Sequence, residues 1–319
     1  MQVGLMIEGQ EGLTWDRWKR LAHAAEDLGF DSLWRSDHFF SLAGPRDRQA
    51  LETWTSLVVA AQETKRVRFG PLVCSMTFRH PALLARMAAQ IDVLSDGRLE
   101  VGVGAGWNVP EHEAFGLPFP STGARMDMLE EGVQVMQALW GEGPATVAGR
   151  HYTLKEATCY PKPVQAPLPL VIGGAGEKRT LRITAKYAQH WNAVSVGVDA
   201  YPAKRVALER HCADLGRDPN EIRRSMMAGF IMGSTEADVA KHYEQVAEAL
   251  FTYRKMDQEA IQARLTNSGW AVGTPSQVVE HLGALEEVGV QEFMFQHHAQ
   301  ENFDVLELIA KEIIPQVRA

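Results

Sequence analysis

The sequence predicts an α/β fold, a TIM (β/α)8 barrel with insertions, from two observations. Short β-rich runs alternate with amphipathic helical segments eight times along the chain. The alternation fills 319 residues, within the range of a single α/β barrel, with no linker, low-complexity tract or repeat beyond the βα period itself. Residues 1–319 are therefore expected to form one domain.

The strand candidates are 3–8, 32–37, 67–75, 99–104, 168–173, 191–196, 225–232 and 292–296. Helices are expected at 14–28, 52–64, 81–94, 125–140, 177–188, 200–215, 235–250 and 275–288, with a last one at 303–317. In the first of these, Trp15, Trp18, Leu21, Ala22, Ala25 and Leu28 recur at helical spacing, Thr14 can cap the start and Gly29 the end. Three connections exceed ordinary barrel loops, 108–123, 141–167 and 251–274, and read as insertions. The proline-rich stretch 141–167 follows a helix, which puts it on the face opposite the strand C-termini and gives it a structural part.

The composition, 45% apolar and 23% charged, is that of a soluble globular chain, and no run approaches the apolar length needed to span a bilayer. The segment from Met1 to Glu8 lacks a basic region and a long apolar stretch, so it reads as a first strand rather than a signal peptide, and a cytoplasmic protein is expected. Cys74, Cys159 and Cys212 are far apart and without CxxC spacing, which argues against a disulfide framework and a zinc site. With a formal charge of −8 and no basic cluster, neither nucleic acid nor a membrane is expected as a partner.

In a TIM barrel the chemistry sits where the strands end. Those ends are Glu8, Ser36-Asp37-His38, Cys74-Ser75-Met76, Gly104-Ala105-Gly106-Trp107, Gly173-Gly174-Ala175-Gly176, Ser195 and His297-His298. Asp37 beside His38 offers a polar anchor and a group that titrates near neutrality. The run Gly102-Val103-Gly104-Ala105-Gly106-Trp107 leaves no side chains between the backbone and a flat or phosphorylated ligand, although its third glycine comes too soon for a dinucleotide fingerprint. The same glycines could instead admit bulky neighbours inside the barrel. Gly173 to Gly176 lead into a helix with Lys178, Arg179 and Thr180 at its start, an arrangement of free N–H groups and dipole that suits a phosphate. A metal-dependent hydrolase built on Asp37, His38, His297 and His298 is disfavoured because the first strand has no HxH pair, and no metal is expected.

Taken in order, Ser36-Asp37-His38, Gly70-Pro71-Leu72-Val73 before Thr77-Phe78-Arg79-His80-Pro81, Gly102 to Trp107, Val171-Ile172-Gly173-Gly174-Ala175-Gly176 and Gly273-Thr274-Pro275 make the chain resemble the bacterial luciferase-like flavin and deazaflavin oxidoreductases. The likeness covers nearly the whole chain, and within that family it looks most like the branch that depends on coenzyme F420. The resemblance implies a luciferase-like TIM barrel, usually a homodimer, that moves a hydride between the deazaflavin C5 and a small-molecule substrate. It also implies that Asp37 and His38 lie beside the deazaflavin, with His38 as base or proton donor. Leu72 and Val73 would be joined by a non-proline cis peptide that bulges against the ring, with Ser75, Gly104, Ala105 and Gly106 next to the cofactor. Gly173, Gly174, Ala175 and Gly176 would cradle its phosphate, with Lys178 and Arg179 close by. Trp107 stands where the family's glucose-6-phosphate dehydrogenase has a catalytic glutamate, so that sugar phosphate is not expected as substrate and Trp107 is expected to form an apolar wall. An FMN-dependent monooxygenase is the second reading, because both cofactors share the ring and the phosphate. A homologue that only sequesters a cofactor is the third.

Overall fold

A computed structural model describes residues 1–250, 265 and 267–318, so most of the expected insertion at 251–274 lies outside the described residues. The parallel strands are β1 (Gln2–Ile7), β2 (Ser32–Arg35), β3 (Arg68–Pro71), β4 (Cys74–Ser75) and β5 (Val101–Gly104). After a hairpin of β6 (Ala145–Ala148) and β7 (Thr153–Ala157) come β8 (Leu170–Gly173), β9 (His190–Val194), β10 (Arg223–Met232), β11 (Ala271–Gly273) and β12 (Glu292–His297). Their spatial order is β3-β2-β1-β12-β10-β9-β8-β5-β4, with β11 added along the end of β10. A parallel bridge between Phe69 and Leu99 returns β3 to the β5 side, so the nine strands form a nearly closed barrel.

The helices are α1 (Trp15–Asp27), α2 (Thr53–Glu63), α3 (Pro81–Leu94), α4 (Val109–Ala114), α5 (Thr122–Trp140), α6 (Thr180–Tyr187), α7 (Tyr201–Leu215), α8 (Glu236–Ala249) and α9 (Pro275–Glu287). In α1 the Thr14 side chain accepts from Arg17 N, and Trp18, Leu21, Ala22 and Ala25 are buried. One apolar stripe and one cap are therefore enough to set this helix on the barrel. The last helix is interrupted: Asp304–Leu308 passes through a π turn, Ile309–Ile313, before Ile314–Val317.

The structure departs from the expected elements in four places. The third barrel strand is not continuous over 67–75 but breaks into β3 and β4 around Leu72 and Val73, whose peptide is cis. The insertion 141–167 contains the antiparallel β6–β7 pair. The insertion 108–123 contains α4, and α5 starts at Thr122 rather than at 125. Strand β11, three residues long, is too short to leave a periodic signal.

Most of the core lies between barrel and helices. Inside the barrel, alternate residues face the axis and fall into levels set by register. Ser225 sits opposite both Asn192 and Glu292, and Met227 opposite Val194 and Met294. A separate apolar cluster of Met6, Trp34, Leu72, Val171, Met227 and Met294 fills the middle of the barrel.

Candidate active site

A cavity of about 540 Å³ opens at the C-terminal ends of the strands, the size and place of a small-molecule site in a barrel. Met6, Leu72, Val73 and Met227 give it an apolar inner end. Val73 also explains much of the local glycine pattern. A Cβ on Gly104 would lie 2.9 Å from a Val73 methyl, one on Gly173 would meet both Val73 methyls, and one on Gly102 would strike the Pro71 carbonyl. These glycines therefore admit neighbouring chain, and Gly104 and Gly173 also offer bare backbone to the cavity. Gly106 has a φ of +79°, and a Cβ there would collide with Ser75 Oγ and Thr77 Oγ1.

His38 follows β2 and lines the cavity. Its Nδ1 lies 2.7 Å from Glu111 Oε2, while Glu111 Oε1 accepts from Phe39 N at 2.6 Å. Glu111 is fully buried on α4, a helix started by Asn108, whose side chain accepts from Glu111 N. Phe39 packs on Phe78 and Phe115, with ring centroids 4.3 and 4.5 Å away, which holds α4 against the His38 loop. His112 on the same helix reaches Asn108 O through Nδ1 and Thr77 Oγ1 through Nε2, both at 2.6 Å. Because a carbonyl only accepts, His112 carries a hydrogen on Nδ1.

Burial works against a charged His38, but the hydrogen bond and charge of Glu111, helped by Glu8 and Asp37, raise its pKa above the ordinary histidine value. Glu8 follows β1 and accepts from Gln10 Nε2 at 2.6 Å and from Gln296 Nε2 at 2.5 Å. Burial would raise its pKa, yet His38, those two amides and His298 together lower it. The cavity thus holds an imidazole inclined to keep its proton beside a carboxylate inclined to lose one.

The expected site residues divide into two groups. Asp37, His38, Leu72, Val73, Ser75, Gly104, Ala105, Gly106, Trp107, Gly173 and Gly174 all line the cavity; Ala175, Gly176, Lys178 and Arg179 do not. The Asp37 carboxylate is committed to Thr53 Oγ1 at 2.8 Å and to Arg79, which also pairs with Glu52. Arg179 is turned to Asp127 and the Gly123 carbonyl. Trp107 is 68% exposed at the rim, edge-on to His38 with centroids 5.8 Å apart. His297 and His298 separate, one stacked on Phe230 and the other on Trp270. The sequence reading missed Glu111, Gln10 and Gln296. For Glu111 a local signal existed, an Asn108-x-x-Glu111 helix start, but its partner lies 73 positions away.

A parallel βα barrel with an imidazole–carboxylate pair at the mouth of an apolar cavity is the arrangement of a barrel enzyme. The family model for luciferase-like monooxygenases matches residues 1–292, and the chain belongs to that family. It is 30% identical over 323 residues to an F420-dependent glucose-6-phosphate dehydrogenase of Beutenbergia cavernae, an alignment covering 92% of this chain and 91% of that protein. It is 35% identical over 178 residues to an uncharacterised protein of Mycobacterium tuberculosis strain H37Rv, covering 56% of this chain and 62% of that one. An F420-dependent secondary alcohol dehydrogenase, solved with an F420-acetone adduct, superposes with a TM-score of 0.84 at 24% identity, over 100% of this chain and 99% of the other.

Proposed function

We propose that the protein is a coenzyme F420-dependent oxidoreductase acting on a small organic molecule. The observation that carries this reading is His38 held on Glu111 at 2.7 Å in an apolar barrel cavity behind which Leu72 and Val73 rise. Full-length similarity to an F420-dependent dehydrogenase supports it. The residues present fit such a ring: the cavity is large and apolar enough, and backbone at Gly104 and Gly173 is bare on its side.

When bound, the deazaflavin supplies hydride exchange at its C5. The chain's own residues do the remaining work. Leu72 and Val73 would back the ring at the inner end of the cavity, and Trp107 stands at the rim. Because Glu111 takes the Nδ1 hydrogen, His38 is left with Nε2 for the ligand and would exchange a proton there with the substrate oxygen or carbon bonded to the carbon that gains or loses hydride. The turn Gly173 to Gly176 before α6 is the proposed seat of the cofactor phosphate, with Lys178 beside it.

Glucose 6-phosphate does not suit the site: Trp107 stands at its rim, and among the described residues lining the cavity none is Lys or Arg. The same reading gives a cytoplasmic homodimer, which a sedimentation mass tests. Fluorescence titration of the apoprotein decides the cofactor. F420 should bind at least tenfold more tightly than FMN, and purification with firmly held FMN would replace this reading with that of a flavin monooxygenase.

A further inference from the structure

Helix α4 buries two side chains, and neither is apolar. Of its six residues, Val109, Pro110, Glu113 and Ala114 are exposed, while Glu111 and His112 are 0% exposed. Burying a carboxylate and an imidazole is unfavourable unless both are hydrogen-bonded. The helix therefore owes its place to the bonds of these two side chains and to Phe115 at its end, which packs on Phe39.

Successive helix residues point about 100° apart, so Glu111 and His112 reach different parts of the barrel mouth. Glu111 Oε2 meets His38 Nδ1 at 2.7 Å in the loop after β2. His112 Nε2 meets Thr77 Oγ1 at 2.6 Å just past β4, and its Nδ1 donates to Asn108 O at 2.6 Å in its own helix start. Thr77 Oγ1 is in turn 2.6 Å from Ser75 Oγ, and Ser75 lines the cavity. The His112 ring packs on Phe78 and Phe119, with centroids 4.9 and 4.6 Å away. Phe78 also packs on Phe39, whose N–H donates to Glu111 Oε1.

The bond to Asn108 stays within the α4 segment, whereas the bond to Thr77 ties that segment to the barrel. A helix this short could turn about its axis and draw Glu111 off His38. With His112 tied to Thr77, the same turn would break buried hydrogen bonds on two faces at once.

We propose that His112 is a positioning residue: by fixing the rotation of α4 on Thr77 it keeps the Glu111 carboxylate on His38 Nδ1 and leaves His38 Nε2 for the ligand. The inference rests on the reading of His38 as the proton-exchanging group, and its test is read without cofactor, so the two can fail separately.

The His38 imidazole is titrated by NMR in the apoprotein, its signal identified by its loss in His38→Ala. Glu8 and Asp37 also bear on that titration; their side chains bond to Gln10, Gln296, Thr53 and Arg79 rather than to α4, so their effect is common to every variant. His112→Phe keeps a ring between Phe78 and Phe119 but loses the tie, and Thr77→Val removes the same bond from the other side. Each should move the His38 midpoint towards acid by at least about 0.5 pH unit, part of the shift that a carboxylate partner gives. In a Glu111→Gln background neither should move it further, because both act through that carboxylate. His112→Gln, whose amide reaches about as far as Nε2, should restore the wild-type midpoint. An unmoved midpoint in either folded variant overturns the positioning role, as does a shift of the same size in the Glu111→Gln background. If His112→Phe does not fold, Thr77→Val decides. A His112→Gln protein that titrates like His112→Phe overturns Thr77 as the tie. Failure of wild type to bind F420 overturns the cofactor reading alone, since the titration needs no cofactor.

Discussion

Gly173→Ala asks why the barrel mouth is rich in glycine. A Cβ at that position would lie 2.9 and 3.1 Å from the two Val73 methyls and 3.6 Å from the Val73 Cβ. Carbon atoms pack at about 3.5–4.0 Å, so the methyls intrude by roughly 0.5 Å while the Val73 Cβ does not. Gly173 has no positive φ, and backbone strain adds nothing to the clash. Overpacking of this kind costs about 1–3 kcal/mol. Val73→Ala alone removes two partly buried methyls and should cost about 1–2 kcal/mol. In the double variant the offending atoms are gone, so it should be more stable than the sum of the single effects by at least about 1 kcal/mol. Urea unfolding of the four proteins at neutral pH measures the cycle. Additivity within about 0.5 kcal/mol, or a neutral Gly173→Ala, would refute the close approach of Val73 as the reason for this glycine.

His38→Ala should lower turnover by roughly 10²–10⁴-fold with ring affinity little changed, read from the steady-state rate at the cofactor band and from a binding titration; unimpaired turnover would remove His38 from the chemistry. Glu111→Gln keeps an acceptor for Phe39 N but deletes the charge that raises the His38 pKa, so the His38 imidazole should titrate at lower pH by NMR, and an unmoved titration would contradict the pairing. Burial pushes His297 down to about 3 and His242 down to about 4, from 6.5 in the unfolded chain. Below pH 6.5 the unfolded chain therefore binds protons that the native state refuses, and stability should fall by about 2 kcal/mol for each group by pH 5. His38 acts in the other window: its stabilisation is complete below 6.5 and is lost as pH rises through its raised value. Urea midpoints that do not fall between pH 7 and 5 would show that the two buried imidazoles are not excluded from charge as placed.

The barrel was legible because each parallel strand is a short apolar run between helices of clear period, as β1 and α1 show. The mouth was legible for the same reason, since the residues just past those runs, His38, Trp107 and Gly173 among them, had to meet there. What escaped depends on pairing across distance. Glu111 belongs to a six-residue helix inside an insertion and meets His38 where Phe39 packs on Phe78 and Phe115. Lys178 and Arg179 follow a glycine turn and read as ligands for a phosphate, yet Asp127 on α5, more than fifty positions upstream, holds Arg179 away from the cavity.

The interior polar level is the subtler case. Parallel strands read as core throughout, and His190 with Asn192, or Arg223 with Ser225, look like interruptions of apolar runs. Spaced two apart, each pair faces the barrel axis, and register brings His190 opposite Arg223 and Asn192 opposite Ser225. The interruptions thus become one another's partners, with Glu100 and Glu292 supplying the opposing charge. Two residues further along β10, Met227 begins the apolar level on which the cavity stands. A flat apolar ring suits that upper level. Two side chains bond across the levels: the Trp34 indole N–H donates to Ser32 Oγ at 2.7 Å, and the Asn192 amide N–H donates to Ser225 Oγ at 2.9 Å. Those two bonds tie the barrel's internal charge network to the apolar level that closes the inner end of the cavity.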